Sequence, residues 1–234
     1  MQFSETAYFS GIAATDWSWS PLLADFDNDG HKDLFVSNGI PGATNDMDFI
    51  NFIANDKIQK KISLGLTSED LSLTKDLPEI KVANYFFRNT SAGTFENVSQ
   101  QWANEVPSFS NGAVYVDLDR DGDLDLVTNN LNETAFVYEN QTDTLQNKFL
   151  SIAFKGPDKN PLGIGAKVFV YNKNQLQKFE NFTTRSYLSA VEPIVHVGLA
   201  DEEIIDSLTI IWPGGKYQTF YQVASNRSIT VDYA

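Results

Sequence analysis

The chain has 234 residues, no cysteine, and a formal net charge of −14 with a sequence pI of about 4.4. An acidic surface repels phosphate groups, so binding to nucleic acids and to anionic membranes is disfavoured. The lack of cysteine excludes disulfides, thiol catalysis and cysteine-bound zinc or iron–sulfur sites, while an aromatic content of 13% favours packed β structure.

A nine-residue acidic pattern, D-x-D-x-D-G-x-x-D, occurs at residues 25–33 and again at residues 117–125. The offset is 117 − 25 = 92, and it holds without a gap from Phe3, which matches Phe95, to Asn38. After Asn38 the register changes, because residues 85–89 match residues 136–140 at an offset of 51. The first repeat therefore carries an insertion of 92 − 51 = 41 residues, and the repeating unit is about 51 residues long.

Each unit is predicted to form four short strands, because apolar and β-branched runs alternate with Asn, Asp and Gly turns. Four strands in about 50 residues is the size of one β-propeller blade. In chain order, the predicted strands are Pro21–Ala24, Leu34–Ser37, Tyr85–Arg88 and Thr94–Val98 in the first unit, then Ala113–Val116, Leu126–Thr128 and Phe136–Glu139 in the second.

The N-terminal segment Phe3–Ala7 matches the fourth strand of a blade whose other strands are not in the sequence. We therefore expect the chain to be the C-terminal part of a larger β-propeller, with upstream blades as partners. With few neighbouring blades to pack against, apolar side chains such as Leu22, Leu23 and Phe35 are expected to be partly exposed to solvent.

The insertion, at about residues 41–83, is predicted to contain two short helices. Asn45 or Asp46 caps a segment with helical spacing that runs to Ile53, and a second cap lies near Thr67. Two interpretations stay open: a decorating lid on one blade, or a surface that binds a partner.

From about Asn147 the repeat is lost and seven further strands are predicted, which indicates a small antiparallel β-sandwich. The predicted organisation is thus all-β, with repeat blades at residues 1–146 and a second domain at residues 147–234. The seven strands are Lys148–Phe154, Ala166–Tyr171, Leu176–Phe182, Ile194–Val197, Ser207–Trp212, Tyr217–Val223 and Ser228–Tyr233.

The acidic loops are the strongest chemical signal in the sequence. Carboxylates at positions 1, 3 and 5 surround one point, and the glycine at position 6 permits the sharp turn. Position 7 is expected to offer its backbone carbonyl, and position 9 a fourth carboxylate. Hard oxygen ligands in this number suit Ca²⁺, so two calcium sites are predicted. Their residues are Asp25, Asp27, Asp29, His31 and Asp33, and Asp117, Asp119, Asp121, Asp123 and Asp125.

This pattern is not an EF-hand, because Val36 and Thr128 stand where the bidentate glutamate would be. The alternative is a pair of Asx-rich turns that bind no metal. Since every ligand lies within one loop and no open position or base accompanies it, a structural role for the ion is expected.

Other chemical candidates are weaker. His196 lies in a strand pattern and is expected to be a hydrogen-bonded structural residue, and neither histidine has a nucleophile-elbow pattern beside it. No catalytic residue is therefore predicted. Large aromatic residues in β blades usually belong to the core, although the four tryptophans could also stack on sugars: Trp17, Trp19, Trp102 and Trp212.

The two acidic loops, with Trp17–Trp19 upstream and Leu34–Asn38 downstream, resemble FG-GAP/VCBS repeats, the calcium-loop blades of bacterial surface proteins and, more distantly, of integrin α-subunits. Residues 147–221 resemble the ASPIC/UnbV domain of proteins similar to cartilage acidic protein. That second resemblance is carried by Gly163–Ala166, Arg185–Ser189, His196–Leu199 and Asp206–Gly215. Together they imply a propeller, extracellular exposure and Ca²⁺ at both loops, and they imply no catalytic residue.

We therefore expect a non-catalytic, extracellular or surface-attached calcium-binding module for interaction or adhesion. Its partner would be a protein or glycan ligand at the cell surface. No nucleic acid and no membrane insertion are expected, because the chain is acidic and no run of about 18 apolar residues occurs. Residues 1–15 lack a signal-peptide pattern, so an upstream signal is expected. The alternatives are a polysaccharide-binding or polysaccharide-degrading component, and a purely structural spacer.

Overall fold

A computed structural model describes residues 3–42, 50–51, 54–63, 79–173 and 175–233, and these ranges are almost entirely β structure. No helix in those ranges is long and apolar enough to cross a membrane. In chain order, the first half contains α1 (Ala7–Ser10), β1 (Ser18–Ala24), β2 (Asp33–Asn38), α2 (Asp56–Ser63), β3 (Val82–Ala83), β4 (Tyr85–Asn89), β5 (Phe95–Asn97), α3 (Ser99–Ala103), β6 (Pro107–Ser108), β7 (Ser110–Val116), β8 (Asp125–Asn130) and β9 (Phe136–Tyr138).

The two predicted repeats form two separate antiparallel sheets. The first has the predicted four strands, in the order β1-β2-β4-β5. The second has three strands among the described residues, in the order β7-β8-β9, so the prediction of four strands per unit is wrong for the second blade. Both sheets share one register: Ser18 pairs with Asn38 and Ser110 with Asn130, and in both an irregularity follows that first pair. The 92-residue repeat is thus confirmed down to the same bulge, as expected for propeller blades built from one sequence pattern.

The predicted strand at Phe3–Ala7 is wrong. Residues 3–6 form no strand, and the chain enters α1 at Ala7. The repeat still holds, because α1 lies 92 residues before α3, which follows β5. Strand β5 exists because it pairs with β4, and within the described ranges residues 3–6 have no such neighbour.

The insertion carries α2 at Asp56–Ser63, between the two helices that the sequence predicted. Residues 50–51 are helical, at the end of the first predicted helix. The rest of that helix and the segment capped near Thr67 lie outside the described residues.

The C-terminal half forms a sandwich of two sheets, and all seven predicted strands are confirmed. One sheet has the order β15-β10-β18 and the other the order β12-β11-β16-β17. The elements are β10 (Phe149–Lys155), β11 (Lys167–Asn172), β12 (Gln175–Glu180), β13 (Thr184–Arg185), β14 (Ser189–Ala190), β15 (Ile194–Gly198), β16 (Ile204–Ile211), β17 (Tyr217–Ala224) and β18 (Arg227–Asp232).

The sandwich is not wholly antiparallel, because β10 and β18 pair in parallel. Strand β17 belongs to the opposite sheet, so the chain crosses between sheets before β18 and enters beside β10 in the same direction. Sequence pattern alone gives strand positions but not this crossover.

Each half has its own hydrophobic core. The sandwich core contains residues from both sheets, including Leu150, Val168 and Trp212. The two blades share a second core, in which Leu22 and Phe35 are fully buried against residues of the neighbouring blade. The predicted solvent exposure is therefore wrong for Leu22 and Phe35, because residues of the second blade pack against them. It is confirmed for Leu23, which has 57% of its surface exposed.

Candidate metal centres

Each acidic loop joins the first two strands of a blade and makes the same turn. Asn28 and Gly30 have φ angles of 56° and 89°, and Arg120 and Gly122, 92 residues later, have φ angles of 66° and 97°. This left-handed conformation is one that glycine adopts without a steric penalty. The paired turns fold the loop back on itself and bring alternate side chains to one side.

Three carboxylates converge in each loop. Oxygens of Asp25, Asp27 and Asp29 all lie within 4.8 Å of one another, and the same is true of the group formed by Asp117, Asp119 and Asp121. Like charges this close repel one another unless a cation or a proton intervenes. Positions 1, 3 and 5 are therefore brought together as the sequence predicted.

Buried oxygen atoms without partners distinguish these loops from ordinary surface acids. Within the described part of the chain, one carboxylate oxygen each of Asp25, Asp117 and Asp123 is buried and accepts no hydrogen bond. Asp25 has only 6% of its surface exposed. Burying a charged group without compensation is costly, and a hard divalent cation supplies that compensation. The donor set thus fits Ca²⁺.

The pKa values of the loop carboxylates reflect the same burial and the same repulsion between like charges. Burial raises the pKa of Asp25 well above its ordinary value, and the charges of Asp29, Asp33 and Asp27 raise it further. Burial, followed by the charge of Asp121, raises the pKa of Asp123 to about 7. A bound cation would act in the opposite direction and favour the ionised carboxylates.

The two sites differ in their counter-charge. In the first loop the Arg88 guanidinium pairs with Asp27 at 2.8 Å and lies 3.7 Å from Asp29. The matching residue of the second blade, 51 positions later, is Glu139, which supplies no positive charge. The first site is also the more buried of the two. The repeat therefore builds one site whose carboxylates are paired with an arginine and one whose carboxylates form no ion pair among the described residues.

The aspartates at position 9 anchor the loops to the blades. Asp33 accepts hydrogen bonds from the backbone N–H of Phe26 at 3.1 Å and of Asn89 at 2.9 Å. Asp125 does the same for Leu118 and Asn140, at 2.8 and 2.9 Å. Both side chains lie outside the three-carboxylate groups. Their direct contact with a metal stays a prediction, and their evident role is to hold the loop against the third strand.

Position 7 differs between the loops. The N–H of His31 donates to Asp29 at 2.8 Å, and the contact of its backbone carbonyl with a metal stays a prediction. Asp123 is instead 1% exposed, and its carboxylate accepts a hydrogen bond from the N–H of Thr142 at 2.9 Å. Sequence reasoning expected only a backbone carbonyl from Asp123 and so missed this link to the segment that leads into the C-terminal domain.

Replacing Asp125 with alanine is expected to destabilise the chain by about 2 kcal/mol, because it leaves two partly buried backbone N–H groups without an acceptor. The loss should be seen in denaturant unfolding both with Ca²⁺ and with a chelator. The matched control is Asp119→Ala, an exposed member of the metal group, whose effect should be seen only with Ca²⁺ present. Equal behaviour of the two variants would contradict the anchoring role.

One residue, Asn28, joins both loops to the sandwich. Its side-chain amide donates to the carbonyl of Gly122 at 3.1 Å, and its own carbonyl accepts from the N–H of Ala200 at 2.8 Å. Its side-chain oxygen lies 2.7 Å from Nε2 of His196, which therefore donates. His196 also stacks on Phe149, with ring centroids 5.9 Å apart. The structural role predicted for His196 is confirmed, but nothing in the sequence pattern identified Asn28 as its partner.

The pKa of His196 is lowered to about 4, because burial disfavours the charged imidazolium. Its ordinary value is about 6.5, so the folded pKa lies below the unfolded one. The stability contributed by neutral His196 is therefore complete above pH 6.5 and is lost as the pH falls towards 4. At pH 5 the loss amounts to about 2 kcal/mol.

His196→Gln keeps a donor for Asn28 and removes the titrating group. We expect the difference in unfolding free energy between wild type and this variant to shrink by about 2 kcal/mol between pH 7 and pH 5. All other titrating groups are present in both proteins, so their contributions to the pH dependence cancel in this difference. Parallel pH profiles would show that His196 is not held neutral.

Two family models match separate parts of the chain. Residues 76–128, which include the second acidic loop, match the model of an FG-GAP-like repeat. Residues 156–234, which contain most of the sandwich, match the ASPIC and UnbV model. No curated protein matches the chain. The chain is thus an FG-GAP-like repeat protein with a C-terminal ASPIC and UnbV domain.

Proposed function

We propose that this protein is a non-catalytic, calcium-binding interaction module in which two Ca²⁺ ions brace the loops between the blades and the C-terminal domain. The observation that carries the proposal is the presence of buried carboxylate oxygens without hydrogen-bond partners in both loops. Unsatisfied buried charges are rare in folded proteins, and oxygen clusters of this composition are what Ca²⁺ requires.

In this proposal, Asp25, Asp27 and Asp29 hold the first ion. Asp117, Asp119 and Asp121 hold the second. Backbone carbonyls at position 7 and the carboxylates of position 9 complete the ligand sets. The bound ion supplies positive charge that cancels the repulsion among these groups. Its role is structural, since Asn28 at the tip of the first loop is fully buried against the second loop and the sandwich.

The proposed location is extracellular or attached to the outer surface, where FG-GAP repeats usually occur. The proposed partner is a protein or glycan ligand at the cell surface, together with further propeller blades. Affinity for Ca²⁺ is expected to be on the order of 10⁻⁴–10⁻³ M, as in extracellular modules. Such a value suits a site that stays filled outside the cell rather than one that senses small changes.

Calorimetric titration tests the metal assignment. The wild type should bind two Ca²⁺ ions, and Asp29→Asn and Asp121→Asn should each bind one. The matched control is Asp158→Asn, an exposed acid outside both loops, which should bind two. No heat with Ca²⁺ in the wild type, or an unchanged stoichiometry in both loop variants, would overturn the proposal.

The polysaccharide-degrading alternative stays a separate prediction, and it has its own test. Incubation of the Ca²⁺-loaded protein with soluble polysaccharides should yield no new reducing ends if the module is non-catalytic. Release of reducing ends that depends on the protein would overturn the non-catalytic part of the proposal without affecting the metal sites.

A further inference from the structure

A cavity of about 310 Å³ opens between the two blades, beside the first acidic loop. Its base is formed by Phe26, Phe86 and Leu126, which are buried, and its walls include Trp102 and Tyr138, which are half-buried. These residues come from the first acidic loop and from β4, α3, β8 and β9 of the two blades. The cavity therefore exists only because the blades are packed together.

Four of the residues that line the cavity are aromatic, and their rings pack on one another. The ring of Phe86 meets the rings of Phe26, Trp102 and Tyr138 at angles of 74°, 67° and 76°. The centroid distances are 6.1, 6.0 and 5.7 Å. The rings thus pack edge to face on Phe86 while they line the cavity, and the π faces of such rings attract positive charge.

The polar rim of the cavity carries negative charge and no positive charge. Its acidic residues are Asp27 and Glu139, and no lysine, arginine or histidine lines it. The carboxylate of Asp27 already forms an ion pair with Arg88. Asn140 donates its side-chain amide to the carbonyls of Phe26 and Leu124. Glu139, by contrast, is exposed and forms no ion pair with any residue that the structure describes.

The unpaired carboxylate at the rim has no counterpart in the first blade. Glu139 stands 51 residues after Arg88, so the same strand position carries a cation in one blade and an anion in the other. An anionic ligand would be repelled by Glu139 and by the net charge of −14. A cation would instead be attracted by the aromatic rings and by the carboxylate of Glu139.

We propose that this cavity binds an organic ammonium cation, with a quaternary or alkylammonium group placed against Trp102 and Tyr138 and paired with Glu139. The site uses none of the unsatisfied carboxylate oxygens of the acidic loops and does not depend on the calcium assignment. Cation–π contacts with tryptophan and tyrosine supply selectivity for the charged head, since an uncharged group of the same shape gains only the apolar contact.

Choline and its uncharged isostere 3,3-dimethylbutan-1-ol separate charge recognition from simple apolar filling. Each is titrated into the protein in saturating Ca²⁺, with tryptophan fluorescence and calorimetry as readouts. Choline is expected to bind about tenfold more tightly than the alcohol, which corresponds to a cation–π contribution of about 1.4 kcal/mol. Equal or tighter binding of the alcohol, or no binding of choline, would overturn the proposal.

Two variants locate the site. Glu139→Gln should weaken choline binding about fivefold and leave binding of the alcohol unchanged, because only the charge is removed. Its matched control is Glu192→Gln, an exposed carboxylate of the sandwich, which should change neither ligand. An unchanged choline affinity in Glu139→Gln would contradict the placement.

Trp102→Leu should abolish choline binding, whereas Trp17→Leu, which removes a tryptophan with 41% exposure elsewhere, should not. Both variants should keep the far-UV circular dichroism spectrum of the wild type, which verifies that the blades fold. Binding of methyl glucosides without binding of choline would assign the cavity to a saccharide and overturn the ammonium proposal.

Discussion

Replacing Gly198 with alanine is expected to lower the unfolding free energy by about 3 kcal/mol. A Cβ atom at this position would lie 1.9 Å from a carboxylate oxygen of Asp25 and 2.8 Å from the Cα atom of Asn28. Neither neighbour can move freely, because both belong to the tightly turned first loop. Overpacking of a filled space costs about 1–3 kcal/mol, and here it also displaces a candidate metal ligand.

The variant should therefore show two effects together: a lower midpoint in denaturant unfolding and the loss of one Ca²⁺ from the calorimetric stoichiometry. Gly214→Ala is the control. Its added methyl group would meet no atom within 4 Å, so only the strain of its φ of 100° remains, at about 1 kcal/mol. If Gly198→Ala were no worse than Gly214→Ala, the loop would not be packed against β15 as the structure has it.

Removal of Ca²⁺ is expected to lower the thermal midpoint of the whole chain by about 10 °C or more. With about 10 mM Ca²⁺ and a dissociation constant of about 10⁻⁴ M, the tight end of the expected range, the ligand is at 100 times its dissociation constant and stabilises the folded state by about 2.7 kcal/mol per site, or about 5 kcal/mol for two sites. For a chain of this size each kcal/mol corresponds to about 2–4 °C. Scanning calorimetry at about 10 mM Ca²⁺ and in excess chelator measures the shift.

The same experiment reports on the coupling between the two halves. Because Asn28 joins both loops to the sandwich, we expect one cooperative transition with Ca²⁺ bound. Asp121→Asn should retain about half of the calcium-dependent shift. A midpoint that is the same in Ca²⁺ and in chelator would contradict the structural role of the ions. Two well-separated transitions in Ca²⁺ would contradict the coupling.

The repeat, the acidic loops and most of the strands can be predicted from local sequence patterns. These features are local: alternating apolar residues predict a strand, and a glycine among aspartates predicts a turn, whatever the rest of the chain does. The 92-residue offset was strong enough to predict matching sheets, and the structure reproduces it down to the bulge after Ser18 and Ser110. The exceptions are Phe3–Ala7 and the fourth strand of the second blade, which do not form in the described part of the chain, and the two-residue strands β3, β6, β13 and β14, which were not predicted, since a strand requires a partner and not only a pattern.

The roles of the individual residues in these patterns depend on contacts between distant parts of the chain. Position 9 was predicted as a ligand from spacing alone, yet Asp33 and Asp125 accept backbone N–H groups from the ends of distant strands. Spacing cannot reveal this, because the donors lie 56 and 15 residues away in the chain. The same holds for the parallel pairing of β10 with β18, which depends on a crossover between sheets.

Two features of the molecule arise only from contacts between its parts. His196 and Asn28 are 168 residues apart and meet because the sandwich packs on the loop tip. The aromatic cavity forms between two blades, and the charge at its rim depends on Glu139 standing where the first blade has Arg88. Local pattern fixed which elements form, because each is specified by neighbours in sequence, whereas packing between elements fixed which side chains are buried, paired or left free to bind.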